Sequence, residues 1–393
     1  MMRLAVFFVW SILLPLGHAN PWEGPQTPLI DPATWGLTGI TAADCGVCHT
    51  DIYAEWKLST HAAAWVDPQF QAELHKDPEV GWLCLNCHTP IANQQAHIVQ
   101  GSGVIRNPST IVNGSFDAAY RDEGVSCMGC HWRPNGIAAP HANTQAPHAT
   151  VHDPDMTEDD TCLGCHQARV RLEDALVCHF NTGNEKMSAG VTASCSSCHM
   201  PTVDRPVVVG GPVRTGGRHT WAGSGIGKGP GPTHAGLDGL DIAVTVLPVV
   251  GDDLIEVRTS LHNVRAGHRI PTGDPERSIV VDFRLLGADG TERAKYSERF
   301  GQTWQWSPVA MQLGDNRIEP GETRWVQWRQ PMSAETVTIE VKVRHIRLSA
   351  DNLRYHIELV KQGHDGPTLS ALQSYPTERE LFSKTIQVEA VSR

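Results

Sequence analysis

The sequence lacks a basic excess. Its 393 residues carry 32 Lys and Arg against 43 Asp and Glu, a formal net charge of −11. A nucleic-acid binder needs a basic face, and an anionic membrane surface attracts polybasic segments, so neither partner is expected. Beyond residue 20 the chain also lacks a long apolar run. The longest, 242–250, falls far short of the ~20 residues that span a bilayer, so no transmembrane segment is expected in the mature chain. Wholesale disorder is excluded by a 40% hydrophobic and 19% charged composition. Unpatterned cysteine is nearly absent: of 11 Cys, only Cys178 lies outside one repeated spacing.

The start of the chain reads as a secretory signal over residues 1–19. Arg3 is followed by an apolar stretch, 4–16, and by the small-x-small site Gly17-His18-Ala19, so Asn20 would open a mature periplasmic or extracellular protein. Export permits disulfides, but the cysteine spacing points elsewhere.

That spacing is C-x-x-C-H, five times: Cys45, Cys48 and His49; Cys84, Cys87 and His88; Cys127, Cys130 and His131; Cys162, Cys165 and His166; Cys195, Cys198 and His199. It is the attachment sequence of c-type haem. Two intervening residues let both thiols face one ring edge as thioethers, and the adjacent His falls under the iron. Zinc sites do not require His after every second Cys, redox C-x-x-C is usually single, and a disulfide framework gives no reason for a fixed His. Five covalent haems c are therefore expected, bound by those ten cysteines.

The motifs occupy 155 residues, 45–199, about 31 per haem. So little chain cannot build an ordinary side-chain core, so closely packed haems must form it, wrapped by short helices and loops. The motif starts are separated by 39, 43, 35 and 33 residues, which excludes a strict solenoid repeat. Residues 51–65 read as helix, 157–160 as an acidic first turn before Cys162, and 132–155 as loop. Residues 201–236, rich in Gly and Pro, read as a wrapping linker. From 240 onward, alternating β-branched runs at 241–249, 254–262, 279–286, 323–330 and 336–343 read as strands, with one helix near 351–360. The expected fold class is α+β: a helix-and-loop pentahaem domain over 20–200, the linker 201–236 carrying a distal His, and a β-sandwich-like domain over 237–393. Charge divides likewise. Residues 41–200 hold 18 acidic and 8 basic side chains, whereas 201–393 hold 23 of each. The acidic part solubilises the domain or steers it toward a basic redox partner.

Fourteen histidines remain after the five proximal ones and His18. They are candidates for the second axial positions, which separate electron transfer from catalysis. His61 stands 12 residues after His49, about 18 Å along a continuous helix, so it would serve a neighbouring haem. His97 follows His88 by only nine residues and would likewise serve a neighbour.

Cys45-x-x-Cys48-His49 with Tyr53, Trp56, Ser59 and His61-Ala62 resembles the opening of multihaem cytochromes of the cytochrome c-554 and hydroxylamine oxidoreductase group. Glu123-Gly124-Val125-Ser126 before Cys127, Cys198-His199-Met200-Pro201, His219-Thr220-Trp221-Ala222-Gly223, and the segment from His262-Asn263 to Thr272-Gly273 are similar to further segments of that group. The resemblance implies distal roles for His61 and His219. His148 is a third candidate, in competition with His141 and His152, and His268 a fourth. The fifth lies among His75, His97, His179, His234 and His356. No motif ends in Lys, as in pentahaem nitrite reductases, and only Tyr53 and Tyr120 lie within the haem region.

The expected function is electron transfer through mainly bis-His haems to or from redox partner proteins. The alternative is an oxidoreductase acting on a small nitrogen or sulfur compound at one open haem. A second alternative is a self-associating subunit of an extracellular cytochrome filament.

Overall fold

A computed structural model of the chain describes residues 27–100, 104–141, 145–172, 176–249, 253–306 and 308–390. The expected signal segment, 1–19, lies outside these. The fold is α+β, and its two parts are held by different means.

Residues 27–236 form short helices joined by turns and small sheets. Four motif histidines close a helix: Trp82–His88, Met128–His131, Asp159–His166 and Cys195–His199. His49 instead caps the start of Thr50–Lys57. One helical turn brings positions i and i+3 to the same face, which aligns each thiol pair. The helix expected over 51–65 stops at Lys57. Tertiary contacts there outweigh composition: Trp56 Nε1 donates to Val125 O at 2.8 Å, and the Val125 amide donates to His61 O at 3.0 Å. Gly124 makes this approach possible. Its φ is +62°, and a Cβ there would stand 2.8 Å from both Ala64 N and His61 O.

Two segments read as irregular carry structure. Within 132–155, strand Gly136–Ala139 pairs with Trp132–Arg133 and, in parallel, with Thr150–His152. Within 201–236, Thr202–Pro206 pairs with Val213–Gly217 as a hairpin. The backbone polar groups of both stretches need partners once the chain packs against neighbours.

The carboxy-terminal part is two antiparallel sheets. We label its strands β1 (Leu240–Val249), β2 (Leu254–Asn263), β3 (Ser278–Leu286), β4 (Glu292–Gln305), β5 (Met311–Asp315), β6 (Thr323–Pro331), β7 (Val337–Ile346) and β8 (Glu378–Val388). One sheet runs β1-β2-β6, the other β5-β4-β3-β7-β8. Alternate residues point inward, Ile279, Val281 and Phe283 on β3 against Ile339, Val341 and Val343 on β7, and join Val257 and Leu261 of β2 in one core. Burying each such side chain contributes about 1.5–3 kcal/mol. Helices Ala350–Lys361 and Leu369–Gln373 cross between β7 and β8. No helix among the described residues is long and apolar enough to cross a membrane.

Buried polar contacts join the two parts. Arg317, before β6, donates through Nη1 to Glu185 Oε1 at 2.7 Å and through Nη2 to Asp315 Oδ2 at 2.7 Å. Thr272 Oγ1 donates to the other oxygen of Glu185 at 2.7 Å. Arg347 donates to the carbonyls of Ile226 and Gly227 across the same junction, and Lys228, next to them, pairs with Asp67 within the first part.

Candidate haem sites

One continuous cavity of about 3410 Å³ runs through residues 37–277 and reaches into the sheet domain. All ten motif cysteines and all five motif histidines line it. An ordinary cofactor pocket occupies ~300–1,000 Å³. Divided among five motifs, the cavity gives roughly 680 Å³ each, within that range.

The histidines are oriented for ligation. Nδ1 of His49 meets Val207 O at 2.9 Å, that of His88 Ala64 O at 2.8 Å, that of His131 Ala138 O at 2.8 Å, and that of His199 Ala222 O at 2.6 Å. His219 does the same with Gly217 O at 3.1 Å and His268 with Arg269 O at 2.9 Å. A carbonyl can only accept, so Nδ1 carries the proton and Nε2 keeps its lone pair. Burial, ahead of any neighbour, pushes His61 down to about 3 and His88, His166 and His219 down to about 4. All are neutral at ordinary pH, as a metal ligand must be.

Three imidazole pairs from distant segments share one separation. His61 and His166, His131 and His219, and His199 and His268 each have ring centroids 6.2 Å apart. Two metal–nitrogen bonds of ~2 Å and about 1 Å of ring on each side account for that spacing. The residues therefore fit a six-coordinate iron between each pair.

The other two motif histidines differ. Among the described residues, no imidazole stands at 6.2 Å from His49 or His88. Phe70 stacks on His88, centroids 3.7 Å apart. His148 lines the cavity, and its Nδ1 meets Ala149 O at 3.4 Å. The Ala149 amide donates to Trp35 O at 3.1 Å, so this segment runs beside the chain leading into Cys45. His97 is a correction: it is exposed on strand His97–Val99 and does not line the cavity. Its strand pairs with Thr110–Val112 at the surface, which carries the ring away from the motifs. His356 and His75 are also outside the cavity, the first buried 3.1 Å from Glu73 and the second bonded to Gln71 O.

Neighbouring motifs lie close through their sulfurs: the Cys45 thiol is near Cys127, Cys87 near Cys165, and Cys162 near Cys195. Cys130 lies within electrostatic reach of Cys162 and Cys165. Asp159 fixes one junction, accepting from Cys195 N at 2.8 Å and pairing with Lys186 at 2.6 Å. Cys178 lines the cavity near Cys84 and Cys165, and burial raises its thiol.

Sequence reasoning missed the side chains that hold the ligands. Glu55 lies within the stretch singled out after the first motif. It accepts from Arg205 at 2.8 Å, Arg218 at 3.0 Å and the His219 amide at 2.8 Å, and so sets the position of His219. Glu185 and Arg317 do the same for the loop after His268. None of the three stands out in the sequence, since each has another charge within two residues: Lys57 near Glu55, Lys186 beside Glu185, and Asp315 and Glu319 around Arg317.

Attachment motifs, carbonyl-tethered histidines and one shared cavity fit the class of multihaem c-type cytochromes. The comparisons with known proteins agree. The model of the cytochrome c554 and c-prime family matches residues 44–132, a span holding the first three motifs. The structure is similar to the penta-heme cytochrome c552 of Thermochromatium tepidum, with a TM-score of 0.62 and 18% identity over 89% of this chain and 99% of that one. The structural genomics target SoR45 (7% identity, 39% of this chain and 88% of that one) and the ApaA protein of Bordetella pertussis (13%, 40% and 98%) are only weakly similar, with TM-scores of 0.20 and 0.18. No curated protein matches the chain.

Proposed function

We propose that the chain is an exported pentahaem electron-transfer protein. The observation that carries this reading is the common 6.2 Å separation of three imidazole pairs drawn from unrelated segments. Bound haem supplies one-electron iron chemistry. The protein holds each group by two sulfurs, fixes most of its ligands through Nδ1 and keeps the sites close together; His61, whose buried Nδ1 has no partner among the described residues, is an exception. In this reading His61 serves the fourth motif, His219 the third and His268 the fifth, and His148 is assigned to the first. The sulfur proximities support an order of first, third, fourth and fifth motif, with the second branching from the fourth. Cys48 and Cys198 are the exposed motif cysteines, so the ends of that order face solvent and redox partners.

A second reading rests on His88. Among the described residues no imidazole is paired with it at the common spacing and Phe70 stacks on it, which makes the second motif the candidate for an open position, where an oxidoreductase would act on a small nitrogen or sulfur compound. Haem count by mass with spin-state spectroscopy of the oxidised and reduced protein tests both. Five haems with low-spin signals from at least four support the carrier. A high-spin signal altered by hydroxylamine, nitrite or sulfite moves the assignment to the enzyme, and fewer than five haems refutes the pentahaem reading.

A further inference from the structure

The sheet domain contributes more than His268 to the cavity. Arg277, at the entry to β3, and His345, near the end of β7, both line it. Arg277 Nε and His345 Nε2 are each sealed from solvent without a hydrogen-bond partner. The one side-chain bond of Arg277 runs from Nη1 to Thr272 O at 3.3 Å. Around His345 stand three guanidiniums, those of Arg277, Arg347 and Arg379. Lys228 is close to Arg277 and Arg347 as well.

Anionic charge here falls short of cationic charge. Asp67 is taken by Lys228. Asp274, whose charge acts on Arg277, accepts the Glu276 amide at 2.9 Å and makes no ion pair among the described residues. Among the described residues, neither Arg277 nor Arg347 has a carboxylate within ion-pair distance. Arg347 is satisfied by the carbonyls of Ile226 and Gly227 and by Tyr375 Oη at 3.1 Å. Arg277 has no such set. A half-buried guanidinium that lines a cavity with no carboxylate paired to it is uncompensated, and an anion entering the cavity would compensate it.

Resting on the multihaem reading, we propose that Arg277 and His345 form an oxyanion site beside the second and fourth motifs, taking a carboxylate or a small inorganic oxyanion. Its place follows from its neighbours. The charge of Arg277 acts on His166 of the fourth motif, and that of Lys228, close to Arg277, acts on His88 of the second. A guanidinium edge matches planar oxyanions through paired N–H donors, and His345 adds a donor when its free nitrogen is protonated. The chemistry has two sources: a carboxylate side chain of bound haem, or a free oxyanion of substrate size.

The test uses the haem-loaded wild type, Arg277→Gln, Arg277→Lys and His345→Gln. A redox titration reads the individual midpoint potentials. Calorimetry on the oxidised proteins reads binding of inorganic phosphate and of nitrite, each alone. If haem carboxylate fills the site, one haem potential falls in Arg277→Gln and recovers in Arg277→Lys, with no anion added. If a free oxyanion fills it, the wild type binds a probe saturably and Arg277→Gln weakens binding about tenfold or more. Unchanged potentials in both Gln variants, together with no saturable binding by the wild type, overturn the site. His345→Gln, nearly isosteric, reads the same outcomes where Arg277→Gln does not fold. Haem content by mass judges the pentahaem reading separately, and the phosphate arm reads whatever that count is.

Discussion

Replacing Arg317 by Met tests how the sheet domain is locked to the haem region. Arg317 and Glu185 expose 4% and 2% of their side chains, so solvent screens their 2.7 Å contact little. The guanidinium also holds Asp315 through two nitrogens, at 2.7 and 2.8 Å. Burial alone would raise the Asp315 carboxyl, yet Arg317 outweighs it and holds the group below its ordinary value. Removing one partner of a buried pair typically costs ~3–5 kcal/mol, because the survivor is left charged and uncompensated. The Thr272 hydroxyl would still serve Glu185, which places the expected loss toward the lower end, about 3 kcal/mol. Glu185→Gln removes the surviving charge, so Arg317→Met with Glu185→Gln should lose less than the sum of the single changes. A coupling of roughly 1–3 kcal/mol is expected. The assay is denaturant unfolding of the four proteins followed by far-ultraviolet circular dichroism. The reasoning also predicts a spectroscopic change, because Arg317 Nη1 reaches Pro271 O at 3.3 Å and thereby steadies the loop after His268. One haem should shift toward high spin in Arg317→Met. Strict additivity with unchanged spectra would refute the clamp.

Other outcomes follow from the same geometry. Ala at His61, His219 or His268 should each convert one low-spin haem to high spin, measured by electron paramagnetic resonance, whereas His97→Ala should change nothing. Gly124→Ala forces a side chain onto left-handed backbone and against Ala64 N and His61 O; it should cost more than the ~1–2 kcal/mol of the backbone term alone, read by thermal unfolding, and perturb the His61 site. Phe283→Ala should destabilise the protein by about 3–5 kcal/mol in denaturant titration, because the ring is fully buried between Ile339, Val341 and Trp328, and should leave haem count unchanged. Cys84→Ser combined with Cys87→Ser should lower the mass by one haem group and leave the others attached.

The motifs were legible because attachment chemistry fixes residue type and spacing within five positions. The inner strands were legible for a similar local reason: Ile279, Val281 and Phe283 fall at every second position of a β-branched run and share one face. Strands β4, β5 and β8 were not. Residues such as Glu292, Arg293 and Lys295 are exposed on β4, and β5 is exposed throughout, so their pattern reflects pairing with a neighbour rather than burial. The second ligands were only partly legible. In the proposed reading His219 and His268 are second ligands, and which motif each faces is decided by long-range clamps at Glu55 and Glu185 rather than by the local sequence. His97 misled for the same reason: distance along the chain says nothing of which side of a two-stranded surface sheet a ring occupies.

The tethering of ligands has a consequence for the order of assembly. Two of the three matched imidazole pairs take their second ring from beyond Cys198, one from the stretch after the last motif and one from the sheet domain. During synthesis every attachment sequence is therefore complete before those sites can close. In the proposed reading, closure of the His199–His268 pair then waits for the sheet domain that carries His268, so the carboxy-terminal part completes the last site.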